Sequence, residues 1–344
     1  MVTALTRSVQ TDLPLKREWD EMADEAGAAP FMRPGWFDAW AETFGKKLEV
    51  VAVRTGSLRA IAPLVANGRT FAAPVNQETP GYALLAADLE SRVRLAREIL
   101  DRRPAAVEML RVSEADVEVL DAAARQAHFR VVKELMQRSP YIPVDQSWKD
   151  YSGSLNKKFR KDLARRVRRL EEQGEMAIEV HDGTERLDQL LDQAFAIESL
   201  GWKGEQETAI GSDDRTSSFY RAIARWAAER GWLRLWFLRI DGKAIAFCLD
   251  VDDGVAYYGL KVAHDPAHAK VSPGMILQDE TIKYTFDRKL RRYEFLGADE
   301  PYKLKWTKDC HELVAWRAFS RGPRGRAAWF GRAVARPLAR KMKK

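Results

Sequence analysis

Apolar residues recur at helical spacing through Leu15, Trp19, Met22 and Ala26, and this stripe, bounded by Pro14 and Gly27, predicts a helix over 14–27. A second helix is predicted over 34–44 from Trp36, Phe37, Trp40 and Phe44. LEVVAVR and LRAIAPLVA, separated by a turn at Gly56, read as a hairpin. A helix over 89–102, a strand over 106–112, a helix over 114–127 and a strand over 129–135 follow. Residues 136–153 hold two prolines and no periodicity, so the pattern places the domain boundary there. A helix over 155–172 is apolar at Leu155, Phe159, Leu163, Val167 and Leu170, and Gly174 ends it. Then come a strand over 176–180, helices over 184–199 and 216–230, and strands over 232–240, 243–251 and 255–262. Asp241-Gly242 and Asp252-Asp253-Gly254 join these three as tight turns. A helix over 273–288, a strand over 292–296 and a last strand over 311–319 complete the pattern. Helices alternating with strands predict an α/β (α+β) protein with mixed sheets flanked by helices.

Length and composition bound this picture. The chain has 344 residues, 46% of them hydrophobic, with 11 tryptophans, enough for about two domains with cores of their own. We divide it into 1–145, 146–320 and a tail over 321–344. The net charge is +7, but its sign is local: the tail carries nine Lys and Arg and no acid, and residues 157–170 carry eight basic residues and one acid. The remainder holds 40 basic and 49 acidic residues, which excludes a uniformly basic coat for nucleic acid. Two cysteines, Cys248 and Cys310, cannot build a disulfide framework or a four-ligand zinc site. No stretch approaches a signal peptide or a membrane span, and the expectation is a cytoplasmic protein.

Several motifs together carry a resemblance. They are Trp36-Phe37-Asp38-Ala39-Trp40 with Pro63-Leu64, the basic run KKFRKDLARRVRRL, and Glu198 with Gly201-Trp202-Lys203-Gly204. To these add Tyr258 with Lys261, Ser272-Pro273-Gly274, and Phe295-Leu296-Gly297 through Asp299, Tyr302, Lys303 and Trp306. The chain resembles the CelD/BcsL-type acetyltransferases associated with cellulose and exopolysaccharide synthesis, which belong with the FemAB-like transferases in a tandem GNAT fold. The resemblance implies a first domain that is a degenerate GNAT unit and a second that is the acyltransferase. One departure stands out. The glycine-rich pyrophosphate loop of ordinary GNAT enzymes is here Lys270-Val271-Ser272-Pro273-Gly274-Met275, with a single glycine.

N-acyl transfer needs an amine base, a polarised acyl carbonyl and a proton for the leaving group. Glu198 and Asp299 are the candidate bases, against a plain reading of each as a solvated carboxylate. Tyr258 is the candidate acid, since a tyrosine hydroxyl can protonate a departing thiolate. Ser272, Pro273, Gly274 and Met275 form the candidate cofactor loop, because a loop entering a helix offers free N–H groups to a phosphate. Trp202, Lys203, Lys261, Tyr302 and Lys303 are the candidate substrate contacts. The donor implied is acetyl-CoA or another acyl-CoA as co-substrate; in the Fem branch it is an aminoacyl-tRNA. No metal is expected: His264 and His268 are four apart, but Pro266 lies between them and no glutamate accompanies them. Walker, Rossmann and Gly-x-Ser-x-Gly motifs are missing, so kinase, dehydrogenase and hydrolase readings lack their parts.

The expected acceptor is a nucleotide-sugar or lipid-linked sugar carrying an amine. The face of helix 155–172 with Lys157, Lys158, Lys161, Arg165, Arg166, Arg168 and Arg169 suits the phosphates of such a partner, tRNA or a signalling nucleotide, and is otherwise a solvated face. In the tail, Phe330, Val334, Leu338 and Met342 alternate with arginines in a basic amphipathic pattern. It fits a peripheral contact at the inner face of the membrane. A catalytically silent scaffold or nucleotide-sensing module is the reading from another class.

Overall fold

The computed structural model describes residues 5–8, 12–202 and 213–335. The chain forms two compact units, one of residues 1–138 with 311–344 and one of residues 139–310.

The first unit runs β1 (Leu5–Ser8), α1 (Leu13–Glu25), α2 (Pro34–Phe44), β2 (Leu48–Thr55), β3 (Ser57–Asn67), β4 (Thr70–Ala72), β5 (Leu85–Ala86), α3 (Leu89–Asp101), β6 (Ala106–Val112) and α4 (Glu114–Gln126). It ends with the start of β7 (Arg130–Pro143). The α1 stripe buries Leu15, Trp19, Met22 and Ala23. Ala26 is not part of that face: it caps the helix and is exposed. Strands β1 to β4 pair antiparallel in order, and β4 then pairs parallel with β6. Trp19 stacks on Phe37 at 5.4 Å, and its indole N–H donates to the Met32 carbonyl, so the largest side chains of α1 and α2 fix one another.

The second unit takes Tyr141–Pro143 of β7, then α5 (Trp148–Ser154), α6 (Lys157–Glu171), β8 (Met176–His181), α7 (Leu187–Trp202), α8 (Asp213–Glu229), β9 (Leu233–Ile240), β10 (Lys243–Asp252), β11 (Tyr257–His264), α9 (Pro273–Asp287) and β12 (Arg292–Glu294). Strands β8 to β11 form an antiparallel meander. Strand β11 then pairs parallel with β12, which pairs antiparallel with β7. One face of this sheet carries Trp236, Leu238, Cys248 and Tyr257 into a core with α9 and the apolar stripe of α6. Burial of Phe159, Leu163 and Leu170 contributes roughly 1.5–3 kcal/mol each to docking that charged helix. The other face carries Phe247 against Phe195 of α7.

Three expectations need correction. The strand expected over 129–135 runs on: β7 continues to Pro143 and α5 follows. The prolines survive because a strand carbonyl still works without its own N–H, and Pro140 accepts the Phe295 N–H. The helix drawn over 155–172 starts at Lys157, since the Asn156 side chain accepts the N–H groups of Lys158 and Phe159 and ends the run from α5. The last strand, β13 (Cys310–Phe319), was assigned to the second domain, yet from His311 it belongs to the first unit, pairing with β6. Helix α10 (Pro323–Trp329) begins the tail.

Candidate active site

In the second unit, α7 buries Leu190, Leu191, Ala194 and Ile197 and so presents Glu198 beside the sheet. There the Glu198 carboxylate meets Lys261 Nζ of β11 at 2.7 Å, with both side chains about 15% exposed. Lys261 Nζ also lies 4.5 Å from the Tyr220 ring centre of α8. A paired, half-dry carboxylate and ammonium beside an aromatic face can take an amine proton and steady a developing negative charge. Thus two of the expected residues, Glu198 and Lys261, are brought together. Tyr258 is fully buried on the same strand, and its hydroxyl bonds to Asp253 in the turn before it. Burial, reinforced by Asp253, pushes its pKa well up. Trp202 closes α7, but its side chain and all of Lys203 lie outside the described residues.

The β11–β12 pair is short. Only Tyr257 with Tyr293 and Tyr258 with Glu294 are in register, and from Gly259 to His264 strand β11 has no β12 residue opposite it. That open edge leads to Ser272, Pro273, Gly274 and Met275 at the start of α9. Ser272 is in the left-handed region at φ 49° and makes no side-chain cap, while Pro273 supplies a preset φ at the cost of one N–H. A Cβ on Gly274 would stand 3.2 Å from Val262 Cγ2, so glycine lets the helix start press against β11. Arg166 of α6 donates to the Ser272 hydroxyl, which brings a guanidinium to this helix end.

The loop after β12 is built around Lys303. Leu296 and Gly297 are left-handed, at φ 54° and 61°, and turn the carbonyls of Leu296 and Ala298 inward. Lys303 Nζ, on a 5% exposed residue, donates to both, at 2.7 and 3.0 Å, and pairs with Glu300 at 2.5 Å. This ammonium is engaged by its own loop, which corrects the expectation of Lys303 as a substrate contact. Asp299 and Tyr302 are half-buried in the same loop. Burial, with Glu300 and Cys248 adding to it, raises the Tyr302 pKa.

A cleft of about 1690 Å³ lies between α6 and residues 304–308. Its lining includes Lys157, Lys158, Lys161, Arg165, Arg168, Lys305 and Lys308 and one acid, Asp162. Asp162 is already held by Arg165 and Arg166. Sequence reasoning found the helix but missed Lys305, Lys308 and the aromatic pair Phe159–Trp306 at 4.8 Å that floors the cleft. The run Lys303-Leu304-Lys305-Trp306-Thr307-Lys308 was the available signal. Among the described residues no group of three metal-ligating side chains occurs, and His268 bonds Gln173.

Residues 157–304 match the family model described as Acetyltransferase (GNAT) domain. The second unit is a GNAT-type acyltransferase domain. No curated protein matches the chain. The fold extends beyond that GNAT domain. The chain is similar to FemX at 13% identity, covering 91% of this chain and 97% of that one with a TM-score of 0.63. It is similar at 11% identity to the C-terminal domain of a protein assigned as a lysylphosphatidylglycerol synthetase from Agrobacterium fabrum, covering 92% and 94% with a TM-score of 0.57. A tandem GNAT protein from the clavulanic acid biosynthesis pathway matches at 10% identity, 94% and 99% coverage and a TM-score of 0.51. At these identities the likeness is one of fold alone. Among the described residues no helix is long and apolar enough to cross a membrane.

Proposed function

We propose that the protein transfers an acyl group, acetyl from acetyl-CoA in the first instance, to an amine on a sugar or cell-envelope precursor, as the CelD/BcsL resemblance implies. The observation that carries this reading is the Glu198–Lys261 pair beside the open edge of β11 in a GNAT domain. Glu198 takes the amine proton, the amine attacks the thioester carbonyl, and Lys261 lies where its charge can offset the oxyanion. The C–S bond then breaks, and the thiolate takes a proton from a tyrosine.

Two tyrosines are candidates for that last step. Tyr258 shares the strand of Lys261 but donates to Asp253, while Tyr302 is half-exposed in the loop with Asp299. The raised pKa of each keeps a proton available at neutral pH. Donor phosphates fit at Ser272–Met275, where an uncapped helix start faces out with Arg166 beside it. Isothermal titration with acetyl-CoA tests the reading. Binding by the wild-type chain and its loss in Gly274→Asp, which adds bulk against Val262 and a negative charge at the helix start, are expected. A wild-type chain that binds no acetyl-CoA overturns the donor assignment.

One observation favours a second reading, aminoacyl-tRNA as donor. The basic cleft exceeds the roughly 300–1,000 Å³ typical of small-ligand sites, and its cations outnumber its acids seven to one. This reading requires charged tRNA to bind with a steep salt dependence that charge reversal at Lys157, Lys161 and Arg168 removes.

A further inference from the structure

Strand β11 carries one residue more than its partner. Leu249 lies opposite Lys261 and Asp250 opposite Gly259, which leaves Leu260 without a cross-strand residue. Strict alternation would aim Lys261 the same way as Tyr257, four residues earlier, and Tyr257 is fully buried in the core that α9 covers. The extra residue reverses that parity, so Lys261 reaches Glu198 of α7 and Tyr220 of α8 instead.

A bulge leaves a backbone donor without its ladder partner, and here the Leu260 N–H donates to the carboxylate of Asp250 on β10. The same carboxylate accepts the Tyr257 hydroxyl at 2.9 Å, and that hydroxyl accepts the Trp236 indole N–H at 2.8 Å. Asp250 is 2% exposed, in a strand that is otherwise apolar from Ala244 to Val251. A buried carboxyl there is costly, and an aliphatic side chain would serve packing better. What an aliphatic residue cannot do is hold the bulge.

We propose that Asp250 is a positioning residue that fixes the Leu260 bulge and thereby sets Lys261 against Glu198. The proposal rests on the reading of that pair as the reacting site.

The test is Asp250→Leu, which removes the acceptor, in the full chain, alone and combined with deletion of Leu260. Deleting Leu260 preserves both flanking registers and leaves Lys261 on the α7 face by plain alternation, so Asp250 has nothing left to hold. Lysines are ¹³C-methylated reductively, the Lys261 resonance is assigned with Lys261→Arg, and its position without the ion pair is taken from Glu198→Gln. In Asp250→Leu the Leu260 amide is expected to exchange roughly 10- to 100-fold faster with deuterium. The Lys261 resonance should move to its Glu198→Gln position and return to the wild-type position in the combined variant. An unmoved resonance in Asp250→Leu, or a shift that persists in the combined variant, overturns the proposal. If Asp250→Leu does not fold, the deletion must restore folding in the combined variant, and its failure to do so overturns the proposal equally. Acetyl-CoA titration of the same samples separates the two questions. A wild-type chain that ignores acetyl-CoA defeats the donor reading, while the resonance still decides the positioning.

Discussion

Asp279, on α9, gives the second unit a stability that depends on pH in the direction opposite to an ordinary acid-labile protein. Burial, with neighbouring Glu280 adding to it and Lys283 opposing it, raises its carboxyl from the usual 3.8 to about 7. Between pH 4 and 7 the folded chain keeps this proton and the unfolded chain has lost it. The native state therefore binds more protons, and stability falls as pH rises through that window. A shift of three units corresponds to about 4 kcal/mol at full effect, fully felt only above pH 7. Asp279→Asn keeps the shape and removes the charge. At pH 5 the variant should already be more stable than the wild type by roughly 1–2 kcal/mol, and at pH 8 by roughly 3–4 kcal/mol. For a unit of this size the gain corresponds to roughly 5–15 °C in Tm. Urea unfolding followed by tryptophan fluorescence at both pH values measures it, with the transition of the second unit analysed separately. An Asp279→Asn effect equal at pH 5 and pH 8 refutes the argument, because only a titrating group makes the difference pH-dependent.

Other consequences are as direct. Lys303→Met strands the buried carbonyl of Leu296 and the part-buried one of Ala298, and at roughly 1–3 kcal/mol for an unsatisfied buried group it should cost about 2–4 kcal/mol. The half-exposed Glu300 adds little to that figure. A loss below about 0.5 kcal/mol in chemical denaturation would show that the loop does not depend on this lysine. Glu198→Gln should lower kcat for acetyl transfer by about 10²–10³ while leaving acetyl-CoA affinity unchanged, since the pair lies on the α7 side of the sheet and the donor phosphates are assigned to the start of α9. Full activity in that variant removes Glu198 from the chemistry.

Much of this fold was legible because period and punctuation agreed. The α1 stripe with Trp19, the Gly56 hairpin and the turns at Asp241-Gly242 and Asp252-Asp253-Gly254 all lie where apolar spacing and turn chemistry put them. Strand β7 was legible only over its first residues, 129–135, and its continuation to Pro143 was not. Most of its residues from Arg130 to Arg138 are exposed or half-exposed, and ion pairs such as Lys133–Asp121 and Arg317–Glu134 replace the apolar alternation that marks a strand. Nor does sequence reveal that β13 returns to pair with β6, because a non-local strand partner leaves no local trace. At the site, Glu198 and Lys261 were named from the resemblance, but their contact depends on the unpaired Leu260, and Tyr-Tyr-Gly-Leu-Lys read by alternation aims the lysine into the core. Lys303 misled for a related reason. A lysine after a glycine turn reads as a free cation until the left-handed backbone at Leu296 and Gly297 turns carbonyls toward it.

The two units share an order, two helices, a meander, a helix and a parallel strand, yet only the second is read as the acyltransferase, and the helix starts give a physical reason. In the first unit α3 opens on Asp88, whose carboxylate accepts the Ser91 N–H at 2.7 Å and pairs with Arg59 at 2.5 Å, with Glu90 in the first turn. That helix end has already spent its donors and its positive dipole on its own acids, and a phosphate there would meet negative charge. Residues 76–82, between β4 and β5, are held as well. Arg111, itself left-handed, holds the carbonyls of Asn76 and Thr79, and the Tyr82 hydroxyl bonds the Pro63 carbonyl, which locks residues 76–82 over the sheet. In the second unit α9 opens on a serine that makes no cap, with no acid in its first turn and an arginine from α6 on the serine hydroxyl. The same fold position is thus neutralised in one unit and left electropositive in the other. On the proposed reading, an anionic donor would distinguish them by charge before any catalytic residue is involved.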